Sequence, residues 1–110
     1  LQFWDQARKF FAKYDLLLTP TVACPPFQVG LEGPGIIDGK PVSNYEWIPF
    51  TFPFNLTGQP ACTVPCGFTR DGLPIGLQIV GRRFDDATVL QAAALFESAE
   101  PWAATRPPVA

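Results

Sequence analysis

The chain contains 110 residues, of which 47 % are hydrophobic and ten are phenylalanine, so it has enough apolar material to fold around a core. Its net charge is −2, and its eight basic residues are scattered among ten acidic ones. The sequence therefore lacks the cluster of basic residues by which proteins bind nucleic acid or an anionic membrane. Apolar runs such as Leu16 to Leu18 are far shorter than the roughly 20 residues that span a bilayer. We therefore predict neither nucleic acid nor membrane as a partner.

The first residues resemble the middle of a protein sequence rather than its beginning. The sequence has no Met, and its apolar residues recur at helical spacing from Phe3 onward. Leu1 also lacks the capping group that commonly precedes a first helical turn. We therefore expect the chain to be the C-terminal part of something longer.

The N-terminal half combines predicted regular elements with a proline-rich loop. A helix is predicted from about residue 2 to residue 13, followed by a buried strand over Tyr14 to Thr19 that Pro20 stops. Residues 19–35 hold four prolines and three glycines, which predicts an extended loop without regular structure. The IIDGKPV stretch that follows predicts a small turn or hairpin at its Asp-Gly pair.

Helical turns are predicted in the next segment, up to Gly58. Tyr45, Ile48 and Phe52 stand at positions i, i+3 and i+7, which is the spacing of one helical face, and Ser43 or the following asparagine is a candidate N-cap. Two prolines interrupt this pattern, and each removes a backbone donor. We therefore expect short or kinked turns rather than one long helix.

The following segment predicts a β-hairpin. The runs Ala61 to Thr69 and Leu73 to Arg82 flank an Asp-Gly pair, which is a strong signal for a tight turn between antiparallel strands. In the second run both alternating faces are largely apolar, so we expect this sheet to be covered on both sides.

A helix is predicted after the hairpin. Asp85 or Asp86 should cap its N-terminus, and Pro101 should end it. Its predicted apolar stripe consists of Val89, Leu90, Ala93, Leu95 and Phe96.

None of these elements carries a complete catalytic set. The sequence has no histidine, and its aspartates stand at helix starts, turns or strand edges, where capping explains them. Cys62 and Cys66 have no neighbouring base that would generate a thiolate. Together with Cys24 they offer three thiolates, one fewer than a structural zinc site needs. We predict no catalytic residue and no metal site in this chain.

The cysteine count also bears on the cellular compartment. Three cysteines are an odd number, and the sequence shows no secretory signal. This combination predicts a reduced, cytoplasmic environment.

The order of four segments resembles the C-terminal portion of the amidase signature family over about residues 5–108. These segments are DLLLTPT at 15–21, FTFPFNLTGQPACTVPCGFT at 50–69, DGLPIGLQIVGRRFDDATVLQAAALFE at 71–97, and the PW and RPP pairs near the end. The most diagnostic parts are Asn55 to Gly58 with Pro60, and Gly72 to Gly81.

The resemblance implies an α/β fold in which a mixed β-sheet is flanked by helices, with residues 1–110 forming the C-terminal part of a single amidase domain. It implies hydrolysis of a linear carboxamide to a carboxylic acid and ammonia or an amine, without a metal or organic cofactor. The family's catalytic lysine and two serines, one of them in a cis peptide, would all lie N-terminal to this chain. Family analogy also suggests a homodimer.

The resemblance assigns a substrate-binding role to the segment before Asn55. Relatives that bind long acyl chains line their channel from this segment, which makes Tyr45, Ile48 and Phe52 our candidates. In the A-type chain of glutamyl-tRNA amidotransferase, an acid that helps recognise glutamine corresponds to Ile48. An apolar residue there favours an apolar acyl or aryl amide.

Three alternatives remain at this point. The candidate residues could belong to an ordinary hydrophobic core, where each would contribute roughly 1.5–3 kcal/mol by burial. The chain could act alone as a non-catalytic interaction module. It could also belong to a glutamine-dependent amidotransferase A-type subunit, although Ile48 disfavours that interpretation.

Overall fold

A computed structural model describes residues 2–109 and confirms the predicted α/β fold, with a hairpin followed by a helix. Within these residues the chain forms three helices, a three-stranded antiparallel sheet and a separate two-stranded sheet. The elements are α1 (Gln2–Phe11), β1 (Leu16–Pro20), β2 (Ile36–Ile37), β3 (Lys40–Pro41), α2 (Phe52–Thr57), β4 (Ala61–Phe68), β5 (Pro74–Gly81) and α3 (Asp86–Ala99).

The main sheet has the strand order β1-β5-β4, so β5 is its central strand. The predicted hairpin between β4 and β5 is confirmed, and its turn residue Gly72 has a φ of 81°, a conformation that glycine adopts without steric cost. The turn is closed by a bond from the Thr69 amide to the Leu73 carbonyl at 2.8 Å. The Asp38-Gly39 turn between β2 and β3 is also confirmed, with φ values of 50° and 73° as a type I′ turn requires.

The prolines of the main sheet occupy positions where strands tolerate proline. Pro65 lies in edge strand β4 beside a register shift at Gly67, and Pro74 is the first residue of the central strand. Pro20 was expected to stop β1, but the strand includes it. This is possible because β1 is the other edge of the sheet.

The core consists of two clusters that share β5. Val80 packs with Phe11 and Phe54, whereas Ile79 points to the opposite face and packs with Val64 and Val89. The expected coverage of both faces therefore holds for the C-terminal half of β5, from Gln78 to Gly81. It does not hold for the start of the strand, where Pro74 and Ile75 are exposed.

Helix α3 begins as predicted, because Asp85 caps it: its carboxylate accepts bonds from the Thr88 amide at 3.3 Å and the Thr88 hydroxyl at 2.7 Å. The helix ends at Ala99, just before Pro101. Its predicted apolar stripe is only partly correct. Val89, Ala93 and Phe96 pack on the sheet, whereas Leu90 and Leu95 are exposed. A turn of 100° per residue carries these two leucines away from the face that holds the other three.

Helix α1 is slightly shorter than predicted. It ends at Phe11, and a further turn follows, in which the amides of Lys13 and Tyr14 both donate to the Phe10 carbonyl at 3.0 Å. None of the helices within residues 2–109 has the combination of length and apolar character that crossing a membrane requires.

Candidate functional site

The candidate residues lie in a segment of short turns that leads into α2, as predicted. At its start the Glu46 carboxylate accepts a hydrogen bond from the Ser43 amide, and the Glu46 amide donates to the Ser43 carbonyl at 3.3 Å, so the two residues close the first turn. At its end Gly58 adopts a φ of 70°, and its amide donates to the Phe54 carbonyl at 2.9 Å. Pro53 is tolerated because it falls in the first turn of α2, where no helical partner for its amide exists.

The structure brings Tyr45, Ile48 and Phe52 together around one open groove of about 290 Å³, which we call the 45–53 groove. Pro49 and Pro53 complete its lining. The five residues thus occupy positions i, i+3, i+4, i+7 and i+8 of one face. Sequence reasoning missed the two prolines because it treated them only as interruptions of a helix, although their spacing extends the same stripe.

The groove residues form little of the core of this chain. Tyr45 is 79 % exposed and Phe52 is 56 % exposed, whereas Ile48 is half-buried. Their ring and aliphatic surfaces therefore remain available for contact. That they bind substrate stays a prediction.

The chemistry of the 45–53 groove is that of an apolar binding surface. Its lining carries no carboxylate, amine or thiol, and the Tyr45 hydroxyl is its one polar side-chain group. Glu46, the nearest acid in sequence, is held by the Ser43 amide. Such a surface can bind an apolar group by removing it from water, at about 25 cal/mol per Å² of buried apolar area, but it offers no general base.

A second, larger cavity of about 490 Å³ lies where the proline-rich loop meets the start of β5. Its lining includes Cys24, Phe27, Trp47 and Ile75. Trp47 contacts Phe27 edge-on, with 5.1 Å between ring centroids, and its carbonyl accepts from the Ala23 amide at 3.0 Å. Sequence reasoning did not find this cavity, because contacts between distant segments form it.

The thiols show no sign of activation as nucleophiles. Burial raises the pKa of the Cys24 thiol and that of the Cys62 thiol, which favours the unreactive protonated form. The third thiol, Cys66, is exposed. Within residues 2–109, no group of three or more His, Cys, Asp or Glu side chains is arranged to hold a metal ion.

Comparisons with known proteins agree on one family. The family model described as Amidase matches residues 1–90. The acylamidase of Rhodococcus erythropolis is 42 % identical over 106 residues, which are 94 % of this chain and 22 % of that protein. The A-type chain of the glutamyl-tRNA(Gln) amidotransferase of Thermodesulfovibrio yellowstonii is 43 % identical over 99 residues, 90 % of this chain and 19 % of that protein.

A solved structure shows the same fold. The crystal structure of a bacterial aryl acylamidase of the amidase signature enzymes matches with a TM-score of 0.83 and 37 % identity, over 96 % of this chain and 23 % of that one. The chain therefore spans about a fifth of the length of the relatives it matches. Because the family model covers most of the sequence and the fold agrees with a solved member, this chain belongs to the amidase signature family.

Proposed function

We propose that residues 1–110 form the C-terminal part of a single amidase domain, and that the complete protein hydrolyses a linear carboxamide to a carboxylic acid and ammonia or an amine. Membership of the family supports this proposal. By the resemblance, the catalytic serines and lysine would lie in sequence N-terminal to these residues. The described residues would then support and shape the site without reacting.

The observation that carries the proposal is the 45–53 groove, which three residues selected from the sequence line together. We infer that it forms part of the substrate-binding wall and receives an apolar acyl or aryl group. The aromatic faces of Tyr45 and Phe52 and the half-buried Ile48 suit such a group, because each contact removes apolar surface from water. The names of two similar proteins, an acylamidase and an aryl acylamidase, agree with this substrate class.

A glutamine-dependent amidotransferase A-type subunit is the second candidate. It is favoured by relatives of that name at 43 % and 51 % identity. It is disfavoured by Ile48, which stands where the resemblance places an acid for glutamine. Glu46 does not replace that acid, because it does not line the 45–53 groove and its carboxylate accepts a hydrogen bond from the Ser43 amide.

Substituting Ile48→Asp in the full-length protein tests the proposed role of the groove. The assay compares kcat/KM for 4′-nitroacetanilide with that for acetamide, two amides with the same acyl group that differ by an apolar ring. We expect the ratio to fall by about tenfold or more, since a carboxylate facing the ring would lose its hydration, whereas Ile48→Leu should retain the ratio. The melting temperature should be unchanged.

Three outcomes would contradict the proposal. A large loss of melting temperature in Ile48→Asp would show that Ile48 belongs to the core. A wild-type protein that hydrolyses glutamine only when bound to another protein chain would favour the amidotransferase. If the full-length protein hydrolyses no amide under any condition, the remaining interpretation is a non-catalytic interaction module.

We also propose a cytoplasmic homodimer. The homodimer follows from the family resemblance, and light scattering of the full-length protein checks it. The cytoplasmic compartment is supported by Cys24, Cys62 and Cys66, which are all free thiols, because reduced cysteines persist in that compartment.

A further inference from the structure

Gln78 is a polar side chain in the middle of the central strand, and it is only 4 % exposed. It pairs with Thr19 of β1 on one side and with Thr63 of β4 on the other. Burying an amide at such a position is unfavourable unless its polar atoms find partners. The partners of Gln78 therefore indicate what the residue does.

The side-chain nitrogen of Gln78 donates two hydrogen bonds, each of 2.9 Å. One goes to the Thr19 hydroxyl within the sheet, and the other goes to the backbone carbonyl of Phe50. A carbonyl can only accept, so the second bond requires the amide nitrogen of Gln78 to face Phe50. The orientation of the side chain follows from this partner.

In the sequence, Phe50 stands between Ile48 and Phe52, two residues that line the 45–53 groove. Within residues 2–109, no other hydrogen bond joins the backbone of residues 48–51 to the main sheet. Local bonds, such as that from the Phe52 amide to the Ile48 carbonyl at 3.4 Å, shape the turn but do not attach it. Among the described residues, the bond from Gln78 is therefore the direct hydrogen bond between this turn and the main sheet.

We propose that Gln78 is a positioning residue, which holds the wall of the 45–53 groove on the central strand and thereby sets affinity for the apolar part of the substrate. This inference rests on the proposed function of the groove. Neither a methionine nor a glutamate of similar size could replace it: methionine has no donor, and an ionised glutamate would turn an acceptor toward the Phe50 carbonyl.

The test uses Gln78→Met in the full-length protein, with Thr19→Val as the matched control. Thr19→Val removes the other acceptor of Gln78 but leaves the Phe50 bond possible. We expect Gln78→Met to lower the kcat/KM ratio of 4′-nitroacetanilide to acetamide by about tenfold, mainly through KM, because misplaced binding groups weaken binding of the ring. The backbone amides of Ile48 and Phe52, which donate to the carbonyls of Tyr45 and Ile48, should exchange with deuterium faster. Thr19→Val should retain the wild-type ratio and exchange.

The outcomes separate this inference from the proposed function. Wild-type exchange in Gln78→Met would overturn the anchoring role, and faster exchange with an unchanged ratio would overturn the effect on affinity. If the wild-type protein hydrolyses neither amide, the proposed function fails, while the exchange data still decide whether Gln78 anchors the segment. Should Gln78→Met not fold, Gln78→Asn, which keeps the amide on a shorter stem, should change both readouts in the same direction by about threefold.

Discussion

The hairpin–helix unit of residues 61–99 and the groove segment of residues 43–53 are stabilised in different ways. In the hairpin–helix unit, neighbours in sequence build the structure: a Gly72 turn joins two strands, and Asp85 caps the helix that packs on them. In the groove segment, partners far away in sequence fix the backbone. Ala23 bonds to Trp47, and Gln78 bonds to Phe50.

This difference shows where stability and adaptability reside. The hairpin–helix unit contains the best buried side chains, with Ile79 at 2 % and Val80 at 0 % exposure. The groove segment exposes the rings of Tyr45 and Phe52, and few hydrogen bonds attach it to the rest of the chain. Substitutions of the core side chains in the hairpin–helix unit should therefore change the free energy of unfolding, whereas substitutions in the groove segment, or of Gln78 that anchors it, should change the choice of substrate.

The largest effect on stability is expected for Ile79→Ala in the full-length protein. Ile79 packs with Val64 and Val89, so truncation removes buried methylenes and leaves a cavity that costs about 2–5 kcal/mol. Ile75→Ala is the matched control, since this isoleucine lies on the same strand and is 44 % exposed. Urea denaturation measures both variants. Equal losses in the two would contradict the burial pattern described for β5.

The next effect is expected for Gly81→Ala, which tests the contact between β5 and α3. A Cβ on Gly81 would lie 2.5 Å from a methyl carbon of the buried Val89, so the helix would have to shift, at a cost of about 1–3 kcal/mol. The double variant Gly81→Ala with Val89→Ala should lose less than the sum of the two single variants, because the smaller side chain makes room. Urea denaturation measures the three variants. If the loss of unfolding free energy in the double variant equals the sum of the two single losses, this contact is contradicted.

The same difference explains how much could be predicted from the sequence. The hairpin, the Asp85 cap and the Asp38-Gly39 turn were predicted because turn and cap signals are local. The exposure of Leu90 and Leu95 was not predicted. The position of the sheet decides which face of α3 is buried, and the helix's own apolar pattern does not contain that information. Pro20 was misjudged for a similar reason, since its tolerance depends on β1 being an edge strand.

The 45–53 groove was predicted only in part. The spacing of Tyr45, Ile48 and Phe52 indicated one face, and the structure gathers them on it. Their attachment through Gln78 could not be read from the sequence, because 28 residues separate this side chain from its partner Phe50. The resemblance, rather than the spacing, suggested that this face meets a substrate.

A smaller effect on stability is expected for Asp85→Ala, which removes the acceptor of the Thr88 amide and hydroxyl. Loss of an N-cap of this kind costs about 0.5–2 kcal/mol. Asp85→Asn keeps a side-chain oxygen for the amide and should stay within a few tenths of a kcal/mol of the wild type. Thermal denaturation followed by circular dichroism measures both variants. A loss in Asp85→Asn as large as in Asp85→Ala would mean that the negative charge, and not the capping bond, stabilises α3.

The smallest effect on stability, within about 0.5 kcal/mol, is expected for Tyr45→Ala, because within residues 2–109 this ring is 79 % exposed and removing it leaves no cavity among them. Its effect on substrate choice should nevertheless be clear, since the ring supplies one side of the 45–53 groove. We expect the kcat/KM ratio of 4′-nitroacetanilide to acetamide to fall by about three- to tenfold, as loss of one aromatic contact predicts. Val29→Ala, an exposed apolar residue outside the groove, should change neither quantity. The proposed division would be contradicted by a Tyr45→Ala variant that loses stability but keeps the wild-type kcat/KM ratio. The groove segment would then contribute to folding and not to substrate recognition.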